Sequence, residues 1–228
     1  MRYSRIATAA SAAALLAACV SACGASSSSG NGVASRSPDG IVSAASTAIA
    51  GVSAVHVSGS TTSGGSTIDL NLDLVNGKGG RGTLSENGLS FQMISVGGTV
   101  YVDGSDTFWR RFGGNAAAQL FHGKWLRAPA TGNFASFAQL ASVSKLFAGL
   151  LSHGTLSKGS TATINGRQAI AVTDTGQGGT LYVATTGKPY PLEISKSGAN
   201  GGKIEFTNFN EPVSLAAPAN SIDISQLK

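Results

Sequence analysis

Between Ile68 and Leu74 the chain alternates without a break: Ile68, Leu70, Leu72 and Leu74 are separated by Asp69, Asn71 and Asp73. Side chains two apart on an extended backbone point the same way, so this stretch predicts an antiparallel strand with one dry face and one wet face. The period of two continues through RGTLSENGLSFQMISVGGTVYVDGS as short strands with turns at ENG, VGG and DGS. Later, TATINGRQAIAVTD predicts a hairpin about NG. The stretch from Gly178 to Val213 then supplies three more strands, with Leu181/Val183, Leu192/Ile194 and Ile204/Phe206 facing inward.

Two regions break this rhythm. SPDGIVSAASTAIAGVSAV predicts a helix: Ser37 can cap it, Pro38 suits the first turn and Asp39 suits the positive end. Ile41, Ala45, Ala48, Ile49 and Val52 fall on one face of it. In mid-chain, SDTFWRRFGGNAAAQLFHGKW and NFASFAQLASVSKLFAGLLSHG have helical spacing. Phe137, Leu140, Ala141, Ser144, Phe147 and Leu151 run along one side of the second, and Gly154 stops it. The order helix, strands, helices, strands predicts an α+β fold, an antiparallel sheet with helices packed on one face.

The amino terminus follows neither pattern. Arg2 and Arg5 are the only charges before Arg36, and Ile6 to Ala18 holds only Ala, Ile, Leu, Ser and Thr. That is a basic region followed by an apolar region of export-signal length, shorter and more Ala-rich than a spanning helix. Both cysteines follow it. LAAC (Leu16 to Cys19) and VSAC (Val20 to Cys23) each resemble the lipobox of bacterial lipoproteins. The resemblance implies that the thiol takes a diacylglyceryl group and that cleavage falls just before the cysteine. CGASSSSGNG is similar to the start of a mature lipoprotein, so Cys23 is the expected lipidation site, with Cys19 as the alternative. A disulfide across three residues would staple nothing, and a metal or redox site there would lack partners. The expected organisation is a signal peptide over residues 1–22, a lipidated cysteine and Gly/Ser-rich tether over 23–37, and one domain over 38–228.

Composition narrows the function. Sixteen basic and 11 acidic residues give a net charge of +5, and two of those charges are Arg2 and Arg5. Charged residues make up 12%, aromatic residues 7%, and there are 31 glycines. No basic stripe interleaved with aromatics is present, which argues against nucleic acid as a partner. Few charges with many Gly, Ser and Thr suit an extracytoplasmic β-rich domain.

Catalytic chemistry finds little support. SVSK (Ser142 to Lys145) with KSG (Lys196 to Gly198) mimics elements of penicillin-recognising enzymes. Ser142 and Lys145 fall inside a helical pattern, however, SDT at Ser105 comes in the wrong order, and the interval to KSG is too short. His56, His122 and His153 have no HxxxH or HxxE spacing, so no metal site is expected. TTGKP lacks the upstream glycine of a phosphate-binding loop. Asp69 and Asp73 read as a solvated face. Phe108, Trp109 and Phe112, followed by Gly113-Gly114, read either as core or as a lid hinged on the glycines.

GGTVYV, GKWLRAP, GGTLYVATTGKPYPLEIS and GGKIEFTNFNEPV resemble the LppX/LprG-type cell-envelope lipoproteins, which belong with the LolA/LolB carriers. The resemblance runs from about Pro38 to Leu227 in order of elements. It implies a LolA-like half-barrel sheet wrapped over helices, with an apolar cavity between them that receives acyl chains. The apolar positions facing that cavity would be Leu70, Leu72, Leu74, Val102, Phe137, Leu140, Phe147, Leu151, Leu181 and Ile194. With the lipobox cysteine as anchor and no catalytic motif found, the expected protein is non-enzymatic, without cofactor, and held at the extracytoplasmic face of the cell membrane. An acyl-chain-containing lipid would be its ligand and an envelope transporter a further partner. A lipid-anchored scaffold domain with a filled core and no ligand is the alternative.

Overall fold

A computed structural model describes residues 30–224. The signal segment, Cys19, Cys23 and the tether up to Ser29 lie outside the described residues. Residues 30–36 already rest on the domain. Gly30 bridges to Thr186, the Asn31 amide donates to the carbonyls of Ala184 and Gly187, and Val33 is 1% exposed.

The described residues form twelve strands and four α-helices. Helix α1 (Pro38–Ala50) leads into β1 (Ala54–Ser63), β2 (Ser66–Val75), β3 (Gly79–Glu86), β4 (Leu89–Val96) and β5 (Thr99–Gly104). Helix α2 (Asp106–Phe121) precedes β6 (Leu126–Pro129), and α3 (Ala135–Leu140) and α4 (Val143–Leu150) follow. The chain then returns through β7 (Leu156–Ile164), β8 (Arg167–Asp174), β9 (Thr180–Ala184), β10 (Pro191–Lys196), β11 (Gly202–Thr207) and β12 (Ile222–Asp223). The sheet order is β12-β6-β5-β4-β3-β2-β1-β11-β10-β9-β8-β7. Two antiparallel meanders thus spread outward from the β1–β11 seam, and only β12 runs parallel to its neighbour. The open, curved sheet with helices is the expected α+β LolA-like half-barrel.

The alternating strand decides which face is covered. Register lines up Phe206, Val57, Leu72, Met93, Val102 and Leu126 in one row, with Gly82 between Leu72 and Met93. All six side chains are buried. Leu72 and Leu74 lie under Val143 and Phe147 of α4 and Ile49 of α1, while Ile68 and Leu70 are only half-buried. On the other face, Asp73 Oδ1 lies 2.8 Å from His56 Nδ1 and its Oδ2 accepts from Arg81 Nε at 3.3 Å; Asp69 and Asn71 are exposed. Gly80 lets the helices approach. A Cβ there would fall 2.7 Å from Leu74 Cδ2 and 3.4 Å from the Ala141 carbonyl.

The hairpin at Asn165-Gly166 forms as expected, with both residues at positive φ. Ser37 caps α1 by accepting from the Gly40 N–H, and Ile41, Ala45, Ile49 and Val52 are buried. Three expectations are corrected. Asp103-Gly104-Ser105 is a strand-to-helix junction rather than a hairpin turn, because Ser105 caps α2. The stretch from Asn133 to Leu151 is not one helix. It breaks at Ala141-Ser142, where Ser142 adopts extended backbone and its Oγ accepts from the Lys145 N–H. SDTFWRRFGGNAAAQLF folds back at Gly114, whose φ of 73° and ψ of −172° cannot continue a helix.

Candidate functional site: an aromatic groove

The groove begins at the end of β5. At Gly104 a Cβ would fall 2.4 Å from the Phe108 ring and 2.9 Å from Trp109 Cε2, so only glycine lets both rings lie on the strand. Ser105 Oγ then accepts from the Phe108 N–H at 3.2 Å and starts α2. Gly114 turns the helix back on itself. Asp106 and His122 are 16 residues apart, which a straight helix would stretch to about 24 Å; their side chains meet at 2.8 Å. Trp109 and Phe121 also close across the two arms, with ring centroids 5.2 Å apart. Element α2 is a helical hairpin. The hydrogen bond to Asp106, and then its charge, hold the His122 imidazole above its usual range.

Across from this hairpin stand Leu89 and Phe91 of β4, Val102 of β5 and Leu126 of β6. Phe134 and Phe137, in the turn before α3 and in α3 itself, close the third side. Phe91 sits at the centre, 5.2 Å from Phe108 and, edge-on, 5.5 Å from Phe137. The space has a cavity volume of about 360 Å³. Ligand sites run to about 300–1,000 Å³, so it stands at the small end of that range. Five of the chain's nine phenylalanines and one of its two tryptophans line it. The lining holds one charged residue, Glu86, which is exposed. Trp109 Nε1 is buried with no acceptor among the described residues, a deficit that costs about 1–3 kcal/mol unless something fills it.

No family model matches the sequence, and no curated protein matches it. Solved structures do. LprF from Mycobacterium bovis is 14% identical, with 80% of this chain covering 97% of that one at a TM-score of 0.55. Lipoprotein LppX from Mycobacterium tuberculosis is 19% identical, with 79% covering 100% at 0.51. The chain has the LppX/LprG-type fold.

Within this LppX/LprG-type fold, the ten expected cavity residues do not share one space. Val102 and Phe137 line the aromatic groove. Leu72, Leu74 and Phe147 belong to a packed central core, with Leu70 and Leu140 partly buried against it. Leu181, Ile194 and Leu151 line a second, smaller space of about 100 Å³ beside Val42. Phe147 and Leu151 also border a third, of about 390 Å³, between α1 and α4. Asp174 edges the second space. Backbone N–H groups of Gln177, Gly154 and Gly176 donate to its carboxylate and hold it below the usual range.

Sequence reasoning missed Leu89, Phe91, Leu126 and Phe134 as groove residues. The clustering of Phe108, Trp109 and Phe112 was the available signal, but which strands they face is a matter of tertiary contact. The polar residues weighed for catalysis have local partners. Ser142 caps α4, Lys196 Nζ donates to the Gln177 carbonyl at 2.7 Å, and His56 pairs with Asp73. Among the described residues, no three metal-ligating side chains converge.

Proposed function

We propose that the chain is a lipid-anchored binder or carrier of acylated ligands, and that the aromatic groove takes the acyl chain. One observation carries this reading: a space of about 360 Å³ walled by six aromatic rings, with a single charged residue in its lining. An apolar wall with one exposed carboxylate suits a ligand whose long part is hydrocarbon and whose polar part stays at the mouth. Each methylene withdrawn from water contributes about 0.8 kcal/mol, so binding needs no reactive group. The unpartnered Trp109 N–H would suit an ester or hydroxyl oxygen near the head of the chain. Anchoring would come from a diacylglyceryl group on Cys23, or on Cys19, which places the domain on the extracytoplasmic face of the cell membrane. An envelope transporter would be a further partner.

The packed inner row of the sheet favours a second reading, a lipid-anchored scaffold with no ligand. Leu72, Leu74, Met93 and Phe206 are each at most 1% exposed, so the sheet side of the central layer is closely packed. Native mass spectrometry of the purified protein separates the two. Co-purifying lipid, released on unfolding, is the result expected of a carrier. Protein that carries no lipid beyond its covalent anchor after purification from lipid-rich membranes would overturn the groove's role and leave the scaffold.

A further inference from the structure

Two large apolar side chains among the described residues are left in water, Phe112 at 68% and Leu120 at 49% exposure. Both lie on α2, one on each arm of the hairpin. Arg110 and Arg111 precede Phe112 on the first arm and are exposed. Neither has an ion-pair partner among the described residues; Arg110 donates to Thr107 Oγ1 at 3.3 Å. The nearest acid in the sequence, Asp106, is engaged by His122.

We propose that the α2 hairpin is a membrane-contact element that rests on an anionic bilayer surface. Exposed apolar side chains on a helical hairpin that also carries exposed cations match the interfacial region of a bilayer, where rings sit at the acyl boundary and guanidinia reach the phosphates. Two large apolar groups and two arginines are too few for a stable protein interface, which buries about 800 Å² on each side. On an anionic surface they suffice for a weak local contact, since each basic residue strengthens partition about fivefold. The hairpin also walls the groove through Phe108, Trp109 and Phe112, so contact would present the groove to the lipid phase. A lipid anchor elsewhere in the chain would not produce this contact by itself; it would only raise the local concentration of the hairpin at the surface.

Amide hydrogen exchange on the full chain, bound to vesicles, tests the contact locally whatever the anchor does. Vesicles of phosphatidylcholine alone are compared with vesicles that also contain phosphatidylglycerol. Exchange across residues 106–121 is expected to slow at least about fivefold on the anionic vesicles. It should return to the phosphatidylcholine rate in Arg110→Gln/Arg111→Gln and in Leu120→Ser. All three side chains are exposed, so these variants keep the parent's melting temperature. Equal exchange on both vesicles, slowing that survives both variants, or slowing that appears only with a second protein would each overturn the proposal. Leu120 does not line the groove, which keeps the two readings apart. Bound lipid without protection of 106–121 removes the membrane contact and leaves the groove; protection without bound lipid does the reverse.

Discussion

The same substitution placed at two leucines tests whether the groove is a void. Leu89 is half-buried on the groove wall, while Leu72 is 1% exposed in the central core. Replacing either by tryptophan adds the same bulk to the same face of the sheet. At Leu72 the indole meets Phe147, Leu74 and Met93 with no space to enter. Overpacking of that kind costs about 1–3 kcal/mol, which for a domain of this size lowers Tm by roughly 2–12 °C. At Leu89 the indole swings into open volume, and Tm should move by less than about 2 °C. Acyl binding should respond in the opposite sense. An indole in the groove displaces about four methylenes' worth of contact, about 3 kcal/mol, or roughly a 200-fold weaker Kd. Thermal melts and titration with a fluorescent long-chain fatty acid read both quantities. An equal loss of Tm from both variants would show that the groove is packed. Unchanged fatty-acid affinity in Leu89→Trp would show that acyl chains bind elsewhere.

Two further outcomes are expected. Cys23→Ala should leave an unprocessed precursor or release the protein from the membrane fraction, read by fractionation and intact mass; normal anchoring in that variant and loss in Cys19→Ala would move the anchor to Cys19. The raised His122 means that its pair with Asp106 helps the α2 hairpin fully below about pH 6.5 and that this help is lost as pH rises through the folded-state value. NMR titration should place His122 above a free imidazole in the parent and near it in Asp106→Asn; the effect on stability is small because both groups are exposed.

The sequence alone determined what depends on neighbours along the chain. Alternation from Ile68 to Leu74 fixed a one-sided strand, because residues two apart must share a face whatever lies above them. Asn165-Gly166 fixed a hairpin, and Ser37-Pro38-Asp39 a helix start, because turns and caps are closed by local hydrogen bonds. The apolar rows could be listed, and the aromatic cluster at Phe108 to Phe112 could be seen. Local patterns also misled where a cap competes with periodicity: Ser142 splits a helix that its apolar spacing would continue, and Gly114 reverses another. What only the tertiary structure decided is which apolar rows are covered. Leu72 and Leu70 share a face of one strand, yet only the first lies deep beneath the α4 layer. Leu89, Phe91, Leu126 and Phe134 became groove residues because β4, β6 and α3 converge opposite a folded-back α2. A void is the absence of a packing partner, and such an absence is set by where distant elements stop rather than by any residue's own preference.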